Sequence, residues 1–214
     1  MKKAVIFDLD GTLWDSSRQI IPVWNAVLKE NSVDREIVHQ DICNCMGKTS
    51  EQIAEMLFPN LSREKGLALV LECCRREADS LQKTGAVLYP ELMETLLDLK
   101  KDYHLYIVSN CEDGYIQAFL TAHKFWDIIE DFECIGRTGH CKGENIVSVM
   151  KRNNIQQAVY VGDTPSDFAA ANLAGIPFIH ADYGFASGFE AEKKIFKFSD
   201  LKNVIKEVDY GKVI

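Results

Sequence analysis

The sequence predicts an α/β fold, a parallel sheet with a block of helices inserted after its first strand. Three observations carry this reading. An apolar run, Ala4-Val5-Ile6-Phe7, stops at Asp8-Leu9-Asp10-Gly11-Thr12-Leu13, the pattern of a buried strand that delivers two carboxylates at its carboxyl end. From Leu88 onward, strand-like and helix-like segments alternate, and strands separated by helix-length segments form right-handed crossovers in a parallel sheet. Residues 17–85 carry helical apolar stripes with no strong strand among them.

The first strand matters most, because ligands of open α/β sheets bind beyond the carboxyl ends of the strands. Residues two apart share one face of a strand, but Gly11 turns the chain, so Asp8 and Asp10 can take different roles. One can serve as nucleophile and the other as acid and base, and the spacing does not decide which. Close carboxylates repel each other and so favour a bound divalent cation, and their hard oxygens select Mg²⁺. A plain surface turn is the competing reading of Asp-x-Asp-Gly, since Asp-Gly is a common turn dipeptide.

In the inserted block, Ile20, Ile21, Val23, Trp24, Val27 and Leu28 form one stripe, and Ile53, Met56 and Leu57 a second. A third helix over 62–83 carries Leu67, Leu71, Cys74, Ala78 and Leu81 among many charges. The first strand precedes this block and joins the sheet that follows it. The expected organisation is therefore a discontinuous core of 1–16 and 86–214 with a helical cap of 17–85 over the strand ends. The core elements expected next are a helix at 90–101, the strand His104-Leu105-Tyr106-Ile107-Val108 and a helix at 114–123. They continue with a strand near Phe132-Glu133-Cys134-Ile135, a helix at 143–153, the strand Ala158-Val159-Tyr160-Val161, a helix at 165–173 and the strand Pro177-Phe178-Ile179-His180.

Three further strand ends carry polar groups. Ser109-Asn110 follows Val108 and offers a hydroxyl and an amide to phosphate oxygens, although both residue types are also frequent in turns and caps. Lys142 opens a helix, where the helix dipole disfavours a cation, so its placement hints at a role other than helix stability. In Gly162-Asp163-Thr164-Pro165-Ser166-Asp167, a strand passes through glycine into a helix with proline in its first turn. A capping role accounts for one of the acids Asp163 and Asp167, and less well for both. Several carboxylates, a lysine and a hydroxyl converging on one cleft are the groups that phosphoryl transfer requires.

Composition sets the outer bounds. The net charge of −8 argues against nucleic acid as a partner, and no stretch of eighteen or more apolar residues could span a membrane. The opening Met1-Lys2-Lys3 is basic, but the apolar run after it ends at Asp8, so no signal peptide is read and a cytoplasmic location is expected. The seven cysteines are expected as reduced, packed thiols; Cys43-x-Cys45 and Cys73-Cys74 lack the gap usual between zinc ligands.

In the order Asp8-x-Asp10-Gly11-Thr12-Leu13, Ser109-Asn110, Lys142 and Gly162-Asp163-x-x-x-Asp167, the chain resembles the haloacid dehalogenase-like hydrolases, and within them the phosphatases close to phosphoglycolate phosphatase. The resemblance extends to Ala169-Ala170-Ala171-Asn172-Leu173-Ala174-Gly175 and to Tyr183-Gly184. It implies a Rossmann-like core with an inserted helical cap. It implies Asp8 as nucleophile, forming an aspartyl-phosphate, and Asp10 as the acid that protonates the leaving oxygen and then activates water. Mg²⁺ would be held by the Asp8 carboxylate, the Asp10 backbone carbonyl and Asp163, with Asp167 nearby. Thr12, Ser109, Asn110 and Lys142 would bind the transferring phosphate.

Two departures stand out. Many relatives follow the lysine with proline, whereas Lys142 is followed by Gly143. The cap loop Met46-Gly47-Lys48-Thr49-Ser50 is not a nucleotide-binding loop, because Ile42 stands where that motif needs its first glycine and no strand precedes it. Lys48 is a candidate contact to an anionic substrate tail, against the alternative of a solvated lysine.

The expected function is a Mg²⁺-dependent phosphatase acting on a small phosphorylated metabolite, as a monomer or weak homodimer. Dehalogenase relatives lack the second acid. A sugar phosphomutase is the alternative; those enzymes place a histidine four residues before a cap tryptophan, and here Trp24 is preceded at that spacing by Ile20. A catalytically silent phosphate-binding protein is the third reading, and the intact motif acids speak against it.

Overall fold

The computed structural model describes residues 1–186 and 188–210. The core range read from the sequence, 86–214, thus includes position 187 and positions 211–214, which lie outside the described residues.

In chain order, β1 (Lys3–Phe7) leads through β2 (Trp14–Asp15) into helices α1 (Ile21–Glu30), α2 (His39–Cys45), α3 (Ser50–Leu57) and α4 (Arg63–Thr84). The chain returns through β3 (Val87–Leu88) to α5 (Leu92–Leu99), β4 (His104–Ser109), α6 (Tyr115–His123), β5 (Asp131–Cys134), α7 (Ile135–Thr138) and α8 (Lys142–Arg152). It ends with β6 (Gln157–Gly162), α9 (Pro165–Ala174), β7 (Phe178–Ala181), β8 (Lys194–Ile195) and α10 (Leu201–Val204).

Six strands form one parallel sheet in the order β5-β4-β1-β6-β7-β8. The strands are apolar on both faces because helices cover both, as expected for a parallel sheet. Period-two alternation divides them: Val5 and Phe7 join a core built with α5, α6 and α10, whereas Ala4 and Ile6 join one built with α8 and α9. Tyr160, buried in the second core, donates its hydroxyl proton to the Val108 carbonyl at 2.7 Å and so ties β6 to β4 across β1.

The two passages between sheet and helical block pair with each other, Trp14 opposite Leu88 and Asp15 opposite Val87, antiparallel. The fully buried Trp14 anchors this ribbon, with its ring edge-on to Phe119 at 5.1 Å and to Tyr115 at 5.5 Å.

The structure corrects several local expectations. The strand expected to include Ile135 ends at Cys134, and Ile135 instead opens α7. On α4 the inward stripe is Gly66, Leu69, Val70, Cys73, Cys74, Glu77, Ala78 and Leu81. Leu71, expected inside, is exposed, as is Met56 on α3. The helix turns a face bearing a glutamate inward, a face that apolar counting alone does not select. The short β2, β3 and β8 and the separate helix α2 are too brief for periodicity to reveal.

Phe119→Ala should cost about 3–5 kcal/mol of unfolding free energy, because it empties a packed aromatic site beside Trp14. Urea denaturation followed by far-UV circular dichroism measures it.

Candidate active site

β1, β4 and β6 are neighbours, and their carboxyl ends present Asp8, Ser109 and Asp163 side by side. Chain connections run from β1 outward through β4 to β5 and then return to the other side of β1 at β6, which makes this edge the topological switch point where α/β proteins bind ligands. The Asp8 amide donates to the Val161 carbonyl at 2.8 Å and extends the β1–β6 ladder one residue further. Asp8 has the parity of Ala4 and Ile6, so its side chain is directed toward the α8 and α9 side of the sheet.

Lys142 waits there. As the first residue of α8 it donates from Nζ to Asp8 Oδ1 at 3.0 Å and to Asp167 Oδ1 at 2.6 Å. All three side chains are no more than 3% exposed. Asp167 also closes the start of α9: its Oδ2 accepts from the Thr164 amide at 2.9 Å and from the Thr164 hydroxyl at 2.7 Å. Thr164 is the cap residue, and the acid at position 167 both caps the helix and holds the lysine. Gly143 follows Lys142 where α8 meets α9; a Cβ there would lie 2.8 Å from Leu173 Cδ2. Close helix packing therefore accounts for the glycine in place of proline.

Asp163 is held from two directions. Its Oδ2 accepts from the Phe185 amide at 2.7 Å, and its carbonyl accepts from His180 Nε2 at 3.2 Å. Its Oδ1 is buried with no hydrogen-bond partner. Gly11, at φ +78°, passes against this carboxylate and the Phe185 ring, and a Cβ at that position would run into both. One carboxylate oxygen from each of Asp8, Asp163 and Asp167 lies within 4.8 Å of the others. Burial, and then the charge of Asp167, raise the Asp8 carboxyl to about 6 and push Asp163 upward as well. Three carboxylates facing one ammonium leave an excess of negative charge, and one Asp163 oxygen has no hydrogen-bond partner. An all-oxygen donor set of this charge fits a hard divalent cation.

Asp10 does not join that cluster. Its Oδ1 accepts from the Ser16 hydroxyl at 2.8 Å and lies 2.9 Å from the Tyr115 hydroxyl, which itself sits 2.7 Å from Ser16 Oγ. Burial raises this carboxyl to about 7, with Ser16 and Tyr115 pulling it back. Two acids two residues apart thus stand in different settings, one against a cation and one among neutral hydroxyls.

Between the helical block and the strand ends lies a cavity of about 80 Å³. Of the residues predicted from the sequence, Asp8, Asp10, Ser109, Asn110 and Lys48 line it. Lys142, Asp163 and Asp167 stand outside the lining, packed against Asp8. Thr12 also lies outside the lining; its hydroxyl is buried without a partner, and its carbonyl accepts from the Tyr183 hydroxyl at 2.8 Å. Lys48 is exposed. The helical block is fastened over the cavity by Asn110 Nδ2 donating to the Gly47 carbonyl at 3.0 Å and Ser50 Oγ donating to Glu112 Oε1 at 2.5 Å.

Sequence reasoning missed three residues of the site. Ser16 and Tyr115 position Asp10; Tyr115 is distant in sequence, and Ser16 reads as an ordinary turn residue. Glu77, buried on α4, accepts a hydrogen bond from Trp24 Nε1. Burial raises Glu77 to about 8, the Trp24 hydrogen bond opposing and the Asp10 charge assisting. The one sequence signal for Glu77 is its place, three residues after Cys74 and four before Leu81, on a stripe that proves to be buried.

The family model described as haloacid dehalogenase-like hydrolase matches residues 5–181. The chain belongs to this hydrolase family. Among curated relatives, the phosphoglycolate phosphatase of Xanthomonas campestris pv. campestris is 27% identical over 191 residues, covering 87% of this chain and 86% of that protein. The phosphoglycolate phosphatase of Aquifex aeolicus is 26% identical over 216 residues, covering 97% of each. A solved structure from Streptococcus pneumoniae, a haloacid dehalogenase-like family hydrolase, superposes with a TM-score of 0.80 at 22% identity, over 94% of this chain and 97% of that one. It shares the fold.

Two outcomes follow from the buried charges. Lys142→Met should destabilise the protein by about 3–5 kcal/mol, because it leaves Asp8 and Asp167 buried without their cation; urea unfolding at neutral pH reads this. For Glu77, the raised folded value means that the native state holds a proton the unfolded chain releases between the ordinary glutamate range and about 8. Stability contributed by this group therefore declines as pH rises through that window. Glu77→Gln should be more stable than the parent at pH 8, with the difference vanishing near pH 4, in thermal melts at the two pH values.

Proposed function

We propose that this hydrolase is a Mg²⁺-dependent phosphatase that cleaves a small phosphomonoester through an aspartyl-phosphate on Asp8. The observation that carries the reading is the buried Asp8–Lys142–Asp167 cluster, with Asp163 beside it, opening at Asp8 onto a cavity that also holds a separately tuned acid, Asp10. The curated relatives that are phosphoglycolate phosphatases support the same chemistry.

In this mechanism an Asp8 carboxylate oxygen attacks phosphorus, and the bond from phosphorus to the leaving oxygen breaks. Asp10, in the acid form that its raised value populates near neutrality, gives its proton to that oxygen. Asp10 then takes a proton from water as the water oxygen attacks the aspartyl-phosphate, which releases inorganic phosphate and restores Asp8. Lys142 fixes the Asp8 carboxylate by one oxygen and leaves the other to react. Ser109, Asn110, Lys142 and Thr12, whose hydroxyl has no partner inside the protein, are the proposed phosphate contacts. Asp8, Asp163 and the Asp10 carbonyl, with Asp167 close by, would hold Mg²⁺, which offsets the charge of the phosphate. Lys48, exposed on the cavity lining, is the proposed contact for negative charge on an arriving substrate.

Residues 17–85 serve in this reading as a cap over a core of 1–16 and 86–214, and the Asn110–Gly47 and Ser50–Glu112 hydrogen bonds support it. The site is assembled within one chain, in keeping with a monomer or weak homodimer. No helix among the described residues is long and apolar enough to cross a membrane, and a cytoplasmic location suits the free cysteines. Ile20, at the position where the mutase relatives keep a histidine, lines the cavity and offers no proton-transfer group. That favours hydrolysis over transfer between sugar positions.

Phosphate release from a panel of small phosphomonoesters, with Mg²⁺ or with EDTA, tests the proposal. Release should require the metal, and Asp8→Asn should lower kcat by a factor of about 10³ or more while the circular dichroism spectrum is unchanged. Substantial turnover in that variant would overturn Asp8 as nucleophile. An isomerised sugar phosphate in place of free phosphate would move the assignment to the mutase.

A further inference from the structure

The cavity wall facing the reacting acids contains a polar group that the hydrolytic steps leave unused. Glu77 lines the same cavity as Asp8 and Asp10, yet lies on the buried stripe of α4 and has Trp24 Nε1 as a hydrogen-bond donor. Around it the wall is apolar, formed by Ile20, Ile42, Cys45 and Ile53. The other acid of the wall, Glu112, is engaged by Ser50. Among the described lining residues the one cation is Lys48, and it is exposed. Lys142 is bound to Asp8 and Asp167 and stands outside the lining.

We infer that Glu77 selects the leaving group: the ester cleaved here carries a compact alcohol bearing a hydrogen-bond donor, a hydroxyl or an ammonium, and not a carboxylate. The inference rests on the phosphatase reading and specifies its substrate class. A carboxyl group has more acceptor positions than the Trp24 N–H and the Cys74 thiol occupy, so a donor on the substrate completes its shell. A carboxylate on the leaving group has no proton to donate and would bring a negative charge beside Asp8, Asp10 and Glu77, three acids whose ionisation burial already opposes. The apolar stretch of wall around Glu77 would leave further hydroxyls of a sugar ring or nucleoside pressed against it without partners, which is costly. A cavity of about 80 Å³ likewise suits a short alcohol. The selectivity would thus differ from that named for the curated phosphoglycolate phosphatases.

Four esters that share a two-carbon scaffold isolate the effect: ethyl phosphate, 2-hydroxyethyl phosphate, 2-aminoethyl phosphate and phosphoglycolate. The donor-bearing pair should exceed ethyl phosphate and phosphoglycolate in kcat/KM by about tenfold or more, since a site built around a polar partner discriminates strongly against substrates that lack it. Glu77→Gln retains an oxygen for Trp24 but cannot ionise opposite an ammonium, as a carboxyl held at about 8 can. It should lower the preference for the aminoethyl ester over the hydroxyethyl ester and raise phosphoglycolate relative to both, with ethyl phosphate as the measure of intact chemistry. A parent enzyme that prefers phosphoglycolate would overturn the inference and assign selection to Lys48. Ratios unchanged by Glu77→Gln would overturn it too. If no ester is hydrolysed, the phosphatase reading fails separately; calorimetric titration of the four esters then decides, with tighter binding of the donor-bearing pair expected and equal binding contrary to the inference.

Discussion

The ammonium of Lys142, buried between Asp8 and Asp167, is the interaction on which the rest of the site depends. Without it two carboxylates would be buried with no cation, and without them an ammonium would be buried with no anion, each at a heavy cost in stability. The three residues come from α8, from the end of β1 and from α9, so the ion triad joins the sheet to both helices on one of its faces. The sequence supports the joint on every side. Gly143 lets α8 approach α9, Gly162 leaves room for Asp167 beside β6, and the Thr164–Asp167 capping box fixes the first turn from which Asp167 projects. A single capping acid thereby does two things at once, in keeping with the expectation that capping alone does not account for both Asp163 and Asp167.

The same constraint separates the two acids of the first strand end. Asp8 is drawn toward the lysine by its parity on β1. Asp10, past the turn at Gly11, is received by Ser16 and Tyr115 instead. Burial raises both, but Asp8 has a cation beside it and Asp10 has only neutral donors, and it is Asp10 that is raised further. Neighbouring carboxyls whose surroundings push them apart are the arrangement expected where one must react as an anion and the other must carry a proton.

Much of this was legible in the sequence because it is local. Apolar runs ending in Asp-x-Asp-Gly or Gly-Asp announce buried strands with polar ends, and the alternation after Leu88 announces the parallel sheet. The convergence of Asp8, Lys142 and Asp167 then follows from strand adjacency. Less legible was whatever depends on a face chosen by long-range packing. The inward side of α4 is set by α6 and by the other helices of the inserted block, not by the helix's own apolar count, so Leu71 was placed inside and Glu77 overlooked. Tyr115 reaches Asp10 across 105 positions of chain, and no spacing rule links them. Elements of two residues, such as β2 and β3, exist because they pair with each other, and neither has a pattern of its own.

The division between legible and hidden residues follows the division of labour proposed for the fold. The groups proposed to handle phosphate sit at strand ends or, for Lys142, at a helix start beside them, where backbone geometry fixes them and sequence motifs betray them. Groups that meet the rest of the substrate sit on helices packed over those ends, where one buried carboxyl on an apolar stripe is enough to change what fits. Glu77 is held by Trp24, a residue of α1, so the polar spot on the cavity wall requires α1 and α4 to be packed together before it exists. Selectivity of this kind can shift by single substitutions on α1 or α4 without touching the triad at the sheet. A shared set of strand-end motifs therefore specifies the reaction more firmly than it specifies the alcohol released.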